Sequence, residues 1–113
     1  MTKIYHNPRC TKSRQALALL NEKGIEPEIV EYLKEVPSKS ELKNLLKLLG
    51  ISAYDLLRRK EAIFKEQFKG KELTEEEWID AMIEYPKLIE RPIIVNGNKA
   101  VIGRPTEKVL DIL

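Results

Sequence analysis

The stretch Lys3-Ile4-Tyr5-His6-Asn7-Pro8-Arg9-Cys10-Thr11-Lys12-Ser13-Arg14 passes from a short β-type run, through a polar and basic turn, into the apolar helical pattern Gln15-Ala16-Leu17-Ala18-Leu19-Leu20. It also holds the only cysteine of the chain. A cysteine at the point where a strand turns into a helix meets the unpaired N–H groups of the first turn and the positive end of the helix dipole. Both favour the thiolate, the nucleophilic form. His6, Arg9, Lys12 and Arg14 push the same way with charge or donated protons. A lone cysteine is otherwise a small buried hydrophobe. The polar, basic flanks decide for a reactive thiol.

Working outward, the first strand is expected over about residues 2–6 and the helix over 10–23, with Gly24 as its stop. Glu28-Ile29-Val30-Glu31-Tyr32-Leu33 partly alternates and reads as a second strand. A strand–helix–strand unit of this length predicts a right-handed crossover and a parallel pair. The middle of the chain changes period. Leu42, Leu45, Leu46 and Leu49 fall at helical spacing after Ser38 or Ser40 as cap, and Gly50 closes the run. Ser52 caps a second predicted helix whose apolar face is Ala53, Leu56, Leu57, Ile63 and Phe64, ended by Gly70. Thr74-Glu75-Glu76-Glu77 reads as a capping box before Trp78, Ile79, Met82 and Ile83. Trp78 and Phe64 are read as core residues. Arg91-Pro92-Ile93-Ile94-Val95 and Lys99-Ala100-Val101-Ile102 then flank Asn96-Gly97-Asn98, a strong hairpin signal. A final helix from Thr106 to Leu113 carries Val109, Leu110 and Leu113 on one side.

A chain of 113 residues with 42% hydrophobic content supports one domain with one modest core. Net charge of only +2, with no long basic stripe, argues against nucleic acid as a partner. Nothing at the start resembles a signal-peptide core, and no apolar run approaches membrane-spanning length. These features predict a cytosolic protein without a membrane partner. One cysteine cannot form an internal disulfide.

The order βαβ, three helices, ββα predicts an α/β fold: a thioredoxin-like mixed sheet with an all-helical insert between its two halves. The thioredoxin-like core takes about residues 1–36 and 88–113 of a single domain, and the insert about 37–87. Pro92 stands at the start of the third strand, where that fold usually places a cis-proline beside the reactive cysteine.

Four stretches then give the chain a family resemblance. They are His6-Asn7-Pro8-Arg9-Cys10 with Ser13-Arg14, Gly50-Ile51-Ser52 leading to Leu56-Leu57-Arg58, Leu88-Ile89-Glu90-Arg91-Pro92-Ile93-Ile94-Val95, and Gly103-Arg104-Pro105-Thr106-Glu107 followed by Val109-Leu110-Asp111-Ile112-Leu113. In that order and spacing the chain resembles the glutaredoxin-dependent arsenate reductase family over essentially its whole length. The resemblance implies arsenic detoxification, with Cys10 as nucleophile and Arg58, Arg91 and Arg104 binding the oxyanion. It implies arsenate as substrate, glutathione as co-substrate and glutaredoxin as protein partner, with no tightly bound cofactor and no metal. The residue types fit that chemistry. Arsenate is a tetrahedral dianion near neutral pH, and arginine's planar fork gives paired hydrogen bonds without losing its proton. The amides at the start of the helix complete an anion cradle.

His6, Ser13 and Arg14 are the expected tuners of the thiol: a protonated His6 would favour the thiolate electrostatically, and Ser13 would hydrogen-bond the sulfur or cap the helix. Asn7 is expected to hold the loop. Arg58 sits beside Arg59 and Lys60, a run that without the family reads as a solvated helix face. Two features depart from the family pattern. Thr11 and Lys12 stand where glycine and threonine often follow the nucleophile, which bears on loop flexibility. The chain also stops straight after the Val109–Leu113 stretch, as expected of the shorter members.

Other function classes fit less well. Arsenate reductases with a phosphatase-like loop have five residues between the cysteine and its arginine and use three internal cysteines. Here only three residues separate Cys10 from Arg14, and there is no second thiol. Dithiol oxidoreductases carry C-x-x-C, whereas position 13 is serine. A monothiol oxidoreductase acting on glutathione mixed disulfides stays open. So does a thiol-stress regulator that docks on the RNA polymerase alpha subunit, which shares the fold and insert but usually has a C-x-x-C switch.

Overall fold

A computed structural model describes all 113 residues, Met1–Leu113. The chain divides into two compact units, Met1–Glu35 with Arg91–Leu113, and Val36–Glu90. The first unit contains β1 (Thr2–Tyr5), α1 (Thr11–Glu22), β2 (Glu28–Val30), β3 (Ile93–Asn96), β4 (Lys99–Ile102) and a C-terminal 3₁₀ helix (Thr106–Ile112). Its four strands form one mixed sheet in the order β2-β1-β3-β4. β1 runs parallel to β2 and antiparallel to β3, so Ile4 pairs with Ile29 on one side and Ile94 on the other. The α/β, thioredoxin-like reading holds.

Strand alternation sends Ile4 and Ile94 to one face of this sheet. There they meet Ala16 and Leu20 of α1 and Val109 and Ile112 of the C-terminal helix, forming the core of the unit. Ala16 and Leu20 lie one turn apart, which puts both on the buried stripe of α1. Asn96 pairs with Lys99, leaving Gly97-Asn98 as a two-residue turn. Gly97 has φ of +62° and Asn98 is not left-handed, the type II′ pattern that matches strand twist.

Two expectations are corrected in this unit. The second strand ends at Val30 rather than Leu33, because the carbonyl of Glu31 accepts from the amides of Lys34 and Glu35 and curls the chain into a turn. The final helix buries Val109 and Ile112, while Leu110 and Leu113 are exposed. It is 3₁₀, with three residues per turn, so positions three apart share a face.

The second unit is all-helical: α2 (Lys39–Leu49), α3 (Ala53–Leu56), α4 (Ala62–Gln67), α5 (Glu75–Glu84) and a 3₁₀ turn at Pro86–Leu88. Ser38 and Ser52 cap α2 and α3 by accepting from Glu41 N and Asp55 N. Thr74 and Glu77 form a reciprocal capping box on α5. Leu42, Leu45 and Leu46 are buried, as are Trp78, Ile79 and Met82. Trp78 stacks on Phe64 with ring centroids 6.1 Å apart and meets Tyr54 edge-on at 5.5 Å. The predicted second helix is in fact broken into α3 and α4. Leu57 turns to extended geometry and bridges to Ile89, and Arg58 N donates to Leu88 O at 2.8 Å. Arg58 therefore directly follows this bridge and is not on a helix. No helix is long and apolar enough to cross a membrane.

One close approach in the first unit has a measurable consequence. A Cβ on Gly103 would stand 3.0 Å from Pro92 Cγ and 3.1 Å from Ile94 Cδ1, inside ordinary contact. Gly103→Ala is expected to overpack this corner and lower unfolding stability by about 1–3 kcal/mol. Urea denaturation of the two proteins measures it, and an unchanged midpoint would refute the packing argument.

Candidate active site

The loop between β1 and α1 is built from its own hydrogen bonds. Pro8 occupies the second position of a turn closed by Cys10 N donating to Asn7 O at 3.0 Å, and Arg9 N donates to Asn7 Oδ1 at 3.0 Å. Ser13 is fully buried one turn into α1. Its Oγ accepts from Asn7 N at 3.0 Å and lies 2.6 Å from His6 Nδ1. His6 in turn donates its backbone N–H to Val30 O at 2.8 Å. The loop is thus tied at both ends to the sheet and the helix, with Cys10 as the N-cap residue of α1.

Cys10 is half-buried and unpaired. Burial pushes its thiol pKa up, but the Ser13 amide, the Arg91 guanidinium and the Lys12 amide together outweigh that and hold it below the ordinary value. Arg104 adds a second guanidinium: its Nη2 stands 3.5 Å from Cys10 Sγ, while its Nε donates to Arg91 O at 2.7 Å. Arg91 and Arg104 each precede a proline, and both peptide bonds to proline are cis. Pro92 therefore has the isomer that the thioredoxin-like fold implied. The result is a sulfur ringed by helix amides and two arginines, the donor set an oxyanion would need.

The remaining predicted residues divide. Ser13 reaches the sulfur through its amide, and its hydroxyl serves His6 and Asn7 instead. His6 departs from the cationic role expected of it. Burial lowers its pKa, the charge of Glu31 opposes that and Arg14 reinforces it, with a net shift downward. The neutral imidazole is therefore the form present at neutral pH, and His6 works as a tie to Ser13, not as a charge beside the thiol. Arg14 donates Nη1 to Pro8 O at 2.9 Å and Nη2 to Thr11 Oγ1 at 3.2 Å, so its side chain braces the loop.

Arg58 belongs to the helical unit. Its Nε lies 3.9 Å from Glu61 Oε2 and 3.8 Å from Glu90 Oε1, and its Nη1 is buried with no hydrogen-bond partner. Arg59, its neighbour, lies over the Tyr54 ring and donates to Tyr54 O. Sequence reasoning missed Glu31 and Glu90. Glu90 lies within the Leu88–Val95 stretch and supplies a counter-charge to the half-buried Arg58. Glu31 stood inside a predicted strand. No group of three or more His, Cys, Asp or Glu side chains is placed to hold a metal ion.

An alkylation-rate titration of Cys10 is expected to show a midpoint below that of a free cysteine thiol, since the lowered pKa keeps thiolate populated at lower pH. Arg91→Ala is expected to move that midpoint upward. A wild-type midpoint at or above that of free cysteine would refute the tuned thiolate.

The chain is similar to known proteins over nearly its whole length. The family model described as ArsC family matches residues 5–112. A protein of Escherichia coli described as "Uncharacterized protein YfgD" is 53% identical over 98% of this chain and 95% of its own length. An arsenate reductase of Haemophilus influenzae is 47% identical, covering 97% of each chain. The solved structure of an arsenate reductase from Vibrio cholerae superposes with a TM-score of 0.96 at 47% identity, covering 99% of this chain and 97% of that one.

Proposed function

The chain belongs to the ArsC family, and we propose that it is an arsenate reductase in which Cys10 attacks the arsenic of bound arsenate. The observation that carries this reading is the half-buried thiol with its pKa held down beneath Arg91, with Arg104 Nη2 at 3.5 Å. A nucleophile and an oxyanion site share the same donors there. Relatives named as arsenate reductases, matched over nearly their full length, support the substrate.

In this reading Arg91 and Arg104 take arsenate oxygens, and Arg58 supplies a third guanidinium. The Cys10 thiolate forms a sulfur–arsenic bond and one oxygen leaves as water. The helix amides and the guanidiniums stabilise the negative charge on the oxygens during attack. With one cysteine in the chain, the electrons must come from outside thiols. Glutathione displaces a second oxygen as water, still without changing the oxidation state. A glutaredoxin thiolate then attacks the glutathione sulfur, the sulfur–arsenic electron pair stays on arsenic, and water releases arsenite from Cys10. Summed, one arsenate and two thiols give arsenite, one disulfide and one water. Such thiol chemistry goes with a reducing, cytosolic setting.

Arg58→Ala, Arg91→Ala and Arg104→Ala each remove charge-assisted hydrogen bonds worth about 1.5–3 kcal/mol, so kcat/KM for arsenate is expected to fall roughly ten- to a hundredfold. Lysine at these positions is expected to rescue only part of the loss, keeping the charge but not the fork. Arg59→Ala serves as the control and is expected to change kcat/KM little. A loss at Arg59 without one at Arg58 would overturn the assignment.

Cys10→Ser is expected to abolish arsenate reduction while keeping the fold, because the exchange is nearly isosteric. Arsenate is expected to protect wild-type Cys10 from alkylation, as a docking module would not. Turnover is expected with glutathione plus glutaredoxin, and thioredoxin is expected to substitute poorly. Robust multiple turnover on thioredoxin alone would refute the reductant assignment.

A further inference from the structure

The fork of Arg14 reaches both sides of the nucleophile. Its Nη1 donates to Pro8 O at 2.9 Å and its Nη2 to Thr11 Oγ1 at 3.2 Å. One planar group thus holds the chain just before Cys10 and the residue directly after it. Thr11 and Arg14 stand at i and i+3 in the first turn of α1, which puts their side chains on one face. The backbone of Cys10 is closed over the same span: its N–H donates to Asn7 O and its carbonyl accepts from Arg14 N, both at 3.0 Å. Thr11 leads directly into Lys12 and Ser13, whose amides favour the Cys10 thiolate. A shift of the chain at Thr11 therefore changes how those amides meet the sulfur. Glycine, which often follows the nucleophile in the family, offers the fork no oxygen and leaves the backbone more conformations. Threonine differs on both counts, since its β-branch is stiff and its hydroxyl is held by Arg14.

We propose that Thr11 is a positioning residue for the nucleophile: its hydroxyl completes a clamp, bridged by Arg14 to the Pro8 carbonyl, that fixes the backbone on both sides of Cys10. The clamp acts on the sulfur through the chain and does not touch it. The two donors of the guanidinium are fixed relative to each other, so they set the separation of the two acceptors, which a single rotating ammonium cannot do. The consequence for turnover rests on the reading of Cys10 as the thiol that attacks arsenate, whereas the consequence for the resting thiol does not. Pro8, Thr11 and Arg14 are all exposed, so the clamp contributes a modest factor and not an all-or-none effect.

Two substitutions separate the hydrogen bond from the stiffness of the side chain. Thr11→Val keeps the β-branch and removes the acceptor, while Thr11→Ser keeps the acceptor and removes the branch. In Thr11→Val the midpoint of the Cys10 alkylation-rate titration is expected to rise, and the rate below that midpoint to fall roughly two- to fivefold. Thr11→Ser is expected to stay close to wild type. Arg14→Lys keeps the charge but cannot hold both acceptors, and is expected to follow Thr11→Val. In arsenate reduction kcat should fall by a similar factor in Thr11→Val, with the KM for arsenate little changed, because Arg91 and Arg104 are untouched. Backbone amide NMR spectra report whether each variant folds, and the exposure of both positions makes these exchanges easy to accommodate. Alkylation of Thr11→Val identical to wild type, or equal losses in Thr11→Val and Thr11→Ser, would overturn the clamp. Absence of arsenate reduction by the wild-type protein would instead defeat the functional reading, while the alkylation series would still decide the role of Thr11.

Discussion

Arg104 holds two partners with one planar group. Its Nε donates to the carbonyl of Arg91 at 2.7 Å, and its Nη2 stands 3.5 Å from the sulfur of Cys10. That fork ties together three stretches far apart in sequence: the start of α1, the residue before Pro92, and the segment leaving β4. Because the guanidinium donors are fixed relative to one another, the carbonyl contact sets where the second donor points. Lysine, with one rotating ammonium, cannot be aimed by one partner at another. The position of Arg104 depends in turn on the close seating of Gly103 against Pro92 and Ile94. Packing at the end of the β3–β4 hairpin is therefore part of the electrostatics of the thiol.

Two ways of favouring a thiolate compete in such a loop, a titrating cation and a set of fixed donors. Burial settles the competition at His6, because a buried imidazolium costs more than the partly exposed carboxylate of Glu31 returns. His6 stays neutral and works as a tie to Ser13. The charge acting on the sulfur comes from arginine, which does not titrate, and the remainder from helix amides. His6 is not among the groups that shift the Cys10 thiol. The buried ring of contacts among His6, Ser13 and Asn7 acts on the chemistry through geometry alone.

Much of this was readable from residue order. The lone cysteine at a strand–helix junction, the capping box at Thr74, the hairpin at Asn96-Gly97-Asn98 and the mixed sheet all follow from local patterns that the fold then uses. What escaped the sequence was set by distant partners. Leu57 continues the helical apolar pattern, yet its backbone leaves the helix to bridge Ile89, and no periodicity reports a bridge to a residue thirty-two positions on. The C-terminal segment buries Val109 and Ile112 because it winds with three residues per turn, and its composition would serve an α-helix equally well. At the site, Cys10, Arg91 and Arg104 were legible as a motif. The division of labour among His6, Ser13 and Arg14 was not, because it depends on which atom of each side chain is turned toward which partner.

The donors around Cys10 also set a limit on how far the thiol should be tuned. A lower pKa populates the thiolate, but it lowers the intrinsic nucleophilicity of each thiolate formed. Burial offsets the donors here, raising the pKa while they lower it, and the net shift is downward. In the proposed reaction the same guanidiniums face an incoming dianion whose oxygens are better acceptors than sulfur. As they turn toward those oxygens, the sulfur loses part of its stabilisation at the moment it attacks. A site made of donors shared between nucleophile and substrate thus favours the resting thiolate and releases it for reaction when the oxyanion is bound.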